Sequence, residues 1–137
     1  MAAPPADHMA YQFTKHYTVA EARALIPQLR HWLEKVQLIR TRLDKQDDRL
    51  AQMLSSGNDC GGPLVNDWLR NISALRKILQ HFHDLEIQLK DIHRGLLDFP
   101  AIIGGREVFL CWEQDEDDVE YWHELDTGYA GREKLEE

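Results

Sequence analysis

Three residues in the last third of the chain carry the side chains that metal and thiol chemistry require: Asp98, Cys111 and His123. Carboxylate, thiolate and imidazole are the donors a divalent metal such as zinc accepts, and a thiol beside an imidazole and a carboxylate is also a nucleophile with its base. Cys111 and His123 form no CxxC or HxxxH pattern, and His123-Glu124 lacks the second histidine of a metalloprotease helix, so only convergence in space can make them a site. The competing role is a small cysteine packed as a hydrophobe and a histidine bonded to backbone or carboxylate. A second set, Arg106, Trp122, Glu124, Asp126 and Arg132, offers a small ligand two guanidinium forks, an aromatic face and two carboxylates. In Thr127-Gly128-Tyr129-Ala130-Gly131-Arg132 two glycines free backbone N–H groups to turn towards an anion, although neither GxGxxG nor a Walker pattern is present. Pairing with nearby acids is the competing role for both arginines. Counted from Asp115, the acidic run Glu113 to Glu120 has Glu120 where an EF-hand loop needs its glycine, and it reads as a solvated turn.

These side chains need a sheet to hold them. Leu96 to Ile103, Gly104-Gly105, and Arg106 to Glu113 read as a β-hairpin with a two-residue glycine turn. That turn sets Asp98 opposite Cys111 and Leu97 opposite Trp112. Leu97, Phe99, Ala101, Val108, Leu110 and Trp112 then share one face, predicted to pack on helices, and Asp98, Cys111 and Glu113 share the other. Val119 to Leu125 is a further strand, and a one-residue change of register decides which face His123 joins. Glu86 to Asp91 alternates polar and apolar residues like a strand, with helix continuing to Ile92 as the alternative.

Upstream, Thr18-Val19-Ala20-Glu21 is a capping box that starts a long helix. Ala22, Leu29, Val36, Leu43 and Leu50 recur every seven residues, an apolar stripe of coiled-coil type. Pro27 lies inside it and predicts a kink or a short first helix near Ile26. Ser55 to Pro63 is rich in breakers and reads as a loop, and Val65, Trp68, Ile72, Leu75, Leu79 and Phe82 repeat the heptad in a second helix. The fold class is therefore α+β: a long antiparallel helical hairpin over about 18–85, then a small antiparallel β-sheet over about 86–132, in one domain at 13–137 after a mobile leader at 1–12. The hairpin leaves apolar surface to cover, which predicts a homodimer or higher homo-oligomer. Basic residues in the first helix and acids in the last strands predict attraction between one subunit's helices and another's sheet.

The composition sets bounds on these expectations. At 137 residues, 43% hydrophobic and 29% charged, the chain has the makeup of one globular domain. It holds no apolar run of the roughly 20 residues a membrane span needs. A formal charge of −8 argues against nucleic acid and anionic membrane as partners. Two cysteines are too few for a disulfide framework, so free thiols and a cytoplasmic setting are expected.

Gly95-Leu96-Leu97-Asp98-Phe99-Pro100-Ala101, Gly105 to Trp112, and Trp122-His123-Glu124-Leu125-Asp126-Thr127-Gly128-Tyr129-Ala130-Gly131-Arg132 together resemble an uncharacterised prokaryotic family, domain of unknown function 2203. The resemblance implies the same architecture, a capped helix and long helical pair before the sheet, and brings no activity. The expected function is a self-associating interaction or small-ligand-binding module. The alternative is a metal- or thiol-dependent enzyme using Cys111 and His123 with a divalent metal.

Overall fold

The computed structural model describes residues 11–57 and 62–136. Cys60, the middle of the expected loop and the leader before Tyr11 lie outside them. Among the described residues two helices, α1 (Val19–Ser55) and α2 (Pro63–Asp84), precede five strands: β1 (Gln88–Asp91), β2 (Leu96–Ile103), β3 (Arg106–Glu113), β4 (Tyr121–Glu124) and β5 (Glu133–Lys134). A single 3-10 turn at Tyr129–Gly131 joins the last two strands.

The start of α1 has the expected cap. Thr18 Oγ1 accepts from the Glu21 amide at 3.1 Å, and Glu21 Oε1 accepts from the Thr18 amide at 2.9 Å. The helix runs unbroken through Pro27, so no short first helix forms. Pro27 is exposed, and the buried neighbours Ala22, Ile26, Leu29 and Leu33 hold the chain helical across the missing hydrogen bond. Burial along α1 follows the heptad as far as Leu43. In α2 only Ile78 and Phe82, near its end, are fully buried. The halves of the two helices that lie away from the sheet are thus only partly covered. The helices touch where Trp32 stacks on His81, ring centroids 5.0 Å apart, and where Trp68 Nε1 donates to Asp47 at 2.9 Å.

The strands form one antiparallel sheet in the order of the sequence, β1-β2-β3-β4-β5. Gly104 and Gly105 both have positive φ, the geometry of the two-residue turn, and the pairs Asp98–Cys111 and Leu97–Trp112 stand as expected. The segment after α2 becomes strand and not helix, through Leu89–Leu97 pairing. One face of the sheet supplies Leu97, Phe99, Ala101, Val108, Leu110 and Trp112 to a core shared with α1.

The acidic turn that follows β3 is fastened to α1 of the same chain. Arg30 donates to the carbonyls of Gln114 and Glu116 at 2.6 and 2.7 Å, and Arg23 to that of Val119 at 2.9 Å. Arg30 also lies over the Trp112 ring, 5.0 Å from its centroid. Two of the basic residues of the first helix are thus engaged with the acidic turn of their own chain.

Candidate metal centre

The open question of register is answered by β4: His123 pairs with Phe109 and Tyr121 with Cys111. Directly opposed residues point to the same side, so His123 joins Asp98 and Cys111 on the face away from the helices. Three successive strands each contribute one side chain. Their donor atoms all lie within 4.8 Å of one another, and among the described residues no other group of this kind is found. Cys111 is 0%, His123 1% and Asp98 2% exposed, so the cluster is closed to solvent.

The hydrogen bonds fix where protons sit. His123 Nδ1 lies 2.6 Å from the Glu124 carbonyl oxygen, which only accepts, so Nδ1 carries a hydrogen. Nε2 is thereby aimed at Asp98 Oδ1, 3.0 Å away. This is the arrangement in which an outer carbonyl orients a histidine and leaves Nε2 for a metal. Burial pushes the Asp98 carboxyl up, with the charge and hydrogen bond of His123 working against it. Burial, and next the charge of Asp98, push the Cys111 thiol up to about 12, against the pull of Arg132. A thiol held that high is scarcely ionised at neutral pH, which argues against a free nucleophile. A bound cation reverses the balance, because it replaces the protons on the donors.

Arg132 stands beside the cluster. Its Nη1 is 4.0 Å from Cys111 Sγ, and the guanidinium lies 3.9 Å from the Tyr121 ring centroid and 4.3 Å from that of Tyr129. Glu116 holds it with two bonds of 3.2 and 2.7 Å. Burial pulls the Arg132 guanidinium down, but bonds to Glu116 and Cys111 outweigh it and hold the group above its usual value. The remaining side chains of the predicted ligand set lie elsewhere, Glu124 reaching the triad only through its carbonyl on His123. Arg106 pairs with Glu124 at the exposed end of β3, Asp126 is exposed in the turn after β4, and Trp122 packs partly buried against the core. The structure therefore brings Arg132, and not Arg106, Trp122 or Asp126, to the triad.

Several neighbours had no counterpart in the sequence reading. Residues 12–16 lie along this face of the sheet: Phe13 meets Phe109 edge-on at 5.4 Å, and Phe109 lies 5.5 Å from His123. The amides of Gln12 and Phe13 donate to the Glu107 carboxylate at 2.7 and 3.0 Å, and those of Thr14 and Lys15 to Glu86 Oε1 at 2.9 and 2.6 Å. Glu107 and Phe109 were detectable in principle, since they alternate with Cys111 along β3. Glu86 gave no such signal, because its role depends on a left-handed backbone, φ 59°, that a glutamate rarely adopts.

No curated protein and no solved structure gives a match to this sequence. A family model does, over residues 15–135, spanning both helices and all three strands of the triad. The chain belongs to that family, described as an uncharacterized conserved protein, DUF2203.

Proposed function

We propose that this protein binds a divalent metal of borderline softness, such as zinc, through Asp98, Cys111 and His123. One observation carries the reading: the carboxylate, sulfur and imidazole donors converge within 4.8 Å in a buried site whose histidine is already oriented by a backbone carbonyl. Zinc bonds to these atoms are about 2.0–2.3 Å long, so donors separated by roughly 3–4 Å surround one ion, and the present spacing needs only a small contraction. Asp98 and the Cys111 thiolate would balance the charge of the ion. Three protein ligands also leave a fourth coordination position, the count found in zinc sites that act on a bound water or substrate. The test is the metal content of untagged protein purified without chelators or a metal column, beside Cys111→Ser and His123→Ala. Stoichiometric metal that is lost in both variants supports the centre. Metal-free protein that also fails to take up added zinc or cobalt rejects it.

A second role rests on the helical pair. The contacts of Trp32 with His81 and of Asp47 with Trp68 support an antiparallel hairpin, and Leu38, Leu54 and Leu69 are 53, 70 and 51% exposed on it. Two helices cannot bury both apolar stripes by themselves, and pairing with a second hairpin gives a four-helix core. A mass by light scattering that rises to that of a dimer with concentration supports self-association. A monomer mass at all concentrations rejects it.

A further inference from the structure

We propose that residues 12–16 form a releasable strap that closes the triad from solvent, and that Glu86 and Glu107 are the latch holding it. The proposal rests on the reading of Asp98, Cys111 and His123 as a metal centre, since a fourth coordination position has no use unless something can reach it. Two sets of contacts flank the cluster on its open face, and they differ in how firmly they are held. On one side Arg132 is clamped by Glu116, with both side chains about 15% exposed (15 and 16%), and stacked between Tyr121 and Tyr129. On the other, Phe13 covers Phe109, which in turn covers His123.

The strap itself has few anchors other than carboxylates. Four consecutive backbone amides, from Gln12 to Lys15, end on Glu107 and Glu86. His16 Nε2 adds a contact of 2.7 Å to Glu107, and the Thr14 hydroxyl one of 3.0 Å to Glu86. Amides that bond to side chains, and not to a strand ladder, can be freed without breaking the sheet. A cleft of about 480 Å³ already opens between the strap and Ile102, lined by Tyr11, Phe13, Thr14 and His16. Just past the strap, Tyr17 is fixed to the body of the fold, its amide donating to the Pro100 carbonyl at 2.7 Å and its hydroxyl to that of Leu85 at 2.6 Å. That anchor makes Tyr17 the hinge about which the preceding residues swing. Glu86 takes its left-handed φ from the end of α2, where its amide donates to the His83 carbonyl at 3.0 Å and the Ile87 amide to that of Phe82 at 3.1 Å, so this half of the latch is anchored to the helix terminus and stays in place when the strap leaves.

The test reads access and binding separately, in a Cys60→Ser background where Cys111 is the remaining thiol. In metal-free protein, Glu86→Gln/Glu107→Gln is expected to raise the rate of Cys111 alkylation by iodoacetamide about tenfold, as is Phe13→Ala, which keeps the latch and removes the cover. Cobalt should enter both variants faster, with its absorption spectrum at saturation unchanged. Alkylation and cobalt entry at the parent rate in a folded Phe13→Ala variant overturn the strap, as does acceleration confined to Arg132→Gln. If cobalt never binds the parent protein, the metal centre fails, while the alkylation rates still decide whether the strap covers Cys111.

Discussion

His123 Nε2 and Asp98 Oδ1 face each other across 3.0 Å with both side chains shut away from water. Such a pair is worth little against a well-packed apolar substitute, yet losing one partner is expensive because the other is stranded. In metal-free protein, His123→Ala is therefore expected to cost about 3–5 kcal/mol at neutral pH. The cost has a defined pH dependence. The carboxyl of Asp98 is raised by burial, and removing His123 takes away its main offset. A raised carboxyl favours the fold at acid pH and loses that contribution as pH rises through its folded value. Urea titrations of His123→Ala should show a smaller deficit, relative to the parent, at pH 5 than at pH 7.5. An equal deficit at both would place the lost energy in packing alone.

Arg132 reaches the proposed centre through Cys111, 4.0 Å away, which would make it a positioning residue. Outer groups of this kind typically change metal affinity by about 10–100-fold, and Arg132→Gln is expected to weaken cobalt binding within that range. The near-ultraviolet sulfur-to-cobalt band should also move, because the donor 4.0 Å from the thiolate is gone. Arg132→Lys keeps the charge and should restore part of the band position. A variant with the parent's band and affinity would leave Arg132 as a partner of Glu116 only.

The latch is sensitive to acid. Burial raises both glutamates, but at Glu107 the bonds from Gln12, His16 and Phe13 prevail, and at Glu86 those from the Lys15 and Thr14 amides and the Thr14 hydroxyl, so each is held below its usual value. A lowered carboxylate contributes stability above its unfolded pKa, about 4.3, and loses it as pH falls further through the folded value. Amide resonances of residues 12–15 should therefore hold their positions down to about pH 4.5 and move below it, ahead of global unfolding. In Glu86→Gln/Glu107→Gln the acid transition should vanish, with the amides already at their released positions at neutral pH.

Trp112 joins the sheet to α1 and to the acidic turn. Fully buried, it also donates from Nε1 to the Glu116 carbonyl at 3.1 Å. Trp112→Ala is expected to destabilise by about 3–5 kcal/mol in chemical denaturation, from cavity formation and a lost bond. It should also weaken metal binding, because Glu116 is what holds Arg132 at Cys111. Metal affinity equal to the parent's at temperatures where the variant is folded would separate the turn from the centre.

Local rules made part of this architecture readable. Gly104-Gly105 determines a two-residue turn, the turn determines register, and register alone sets Asp98 against Cys111. Thr18 and Glu21 mark the start of α1 with equal directness. Pro27 misled because intrinsic propensity was outweighed by burial of Ala22, Ile26 and Leu29 on either side of it. The face of His123 was undetermined because the long acidic turn before β4 has no length rule like that of a glycine hairpin, and Arg23 and Arg30 set its path from α1. Arg132 at Cys111 and the strap at Phe109 were hidden for the same reason. Both depend on tertiary contacts that reach β3 from segments, at 12–16 and around 132, whose own sequences specify no periodic element.

The sheet is a meander in which each strand lies beside its neighbour in sequence, and the three donors stand on consecutive strands. Asp98 and His123 are joined by two connections, one of them a two-residue turn, so little chain entropy is lost in bringing the donors together. Contacts so local in sequence form early and quickly. A metal ion met during synthesis would find its donors once β2, β3 and β4 have emerged and paired. An ion arriving after folding is complete would instead have to enter past the strap. If the centre binds its ion as proposed, supply at birth and exchange in the mature protein would be two separate routes to it, each with its own rate.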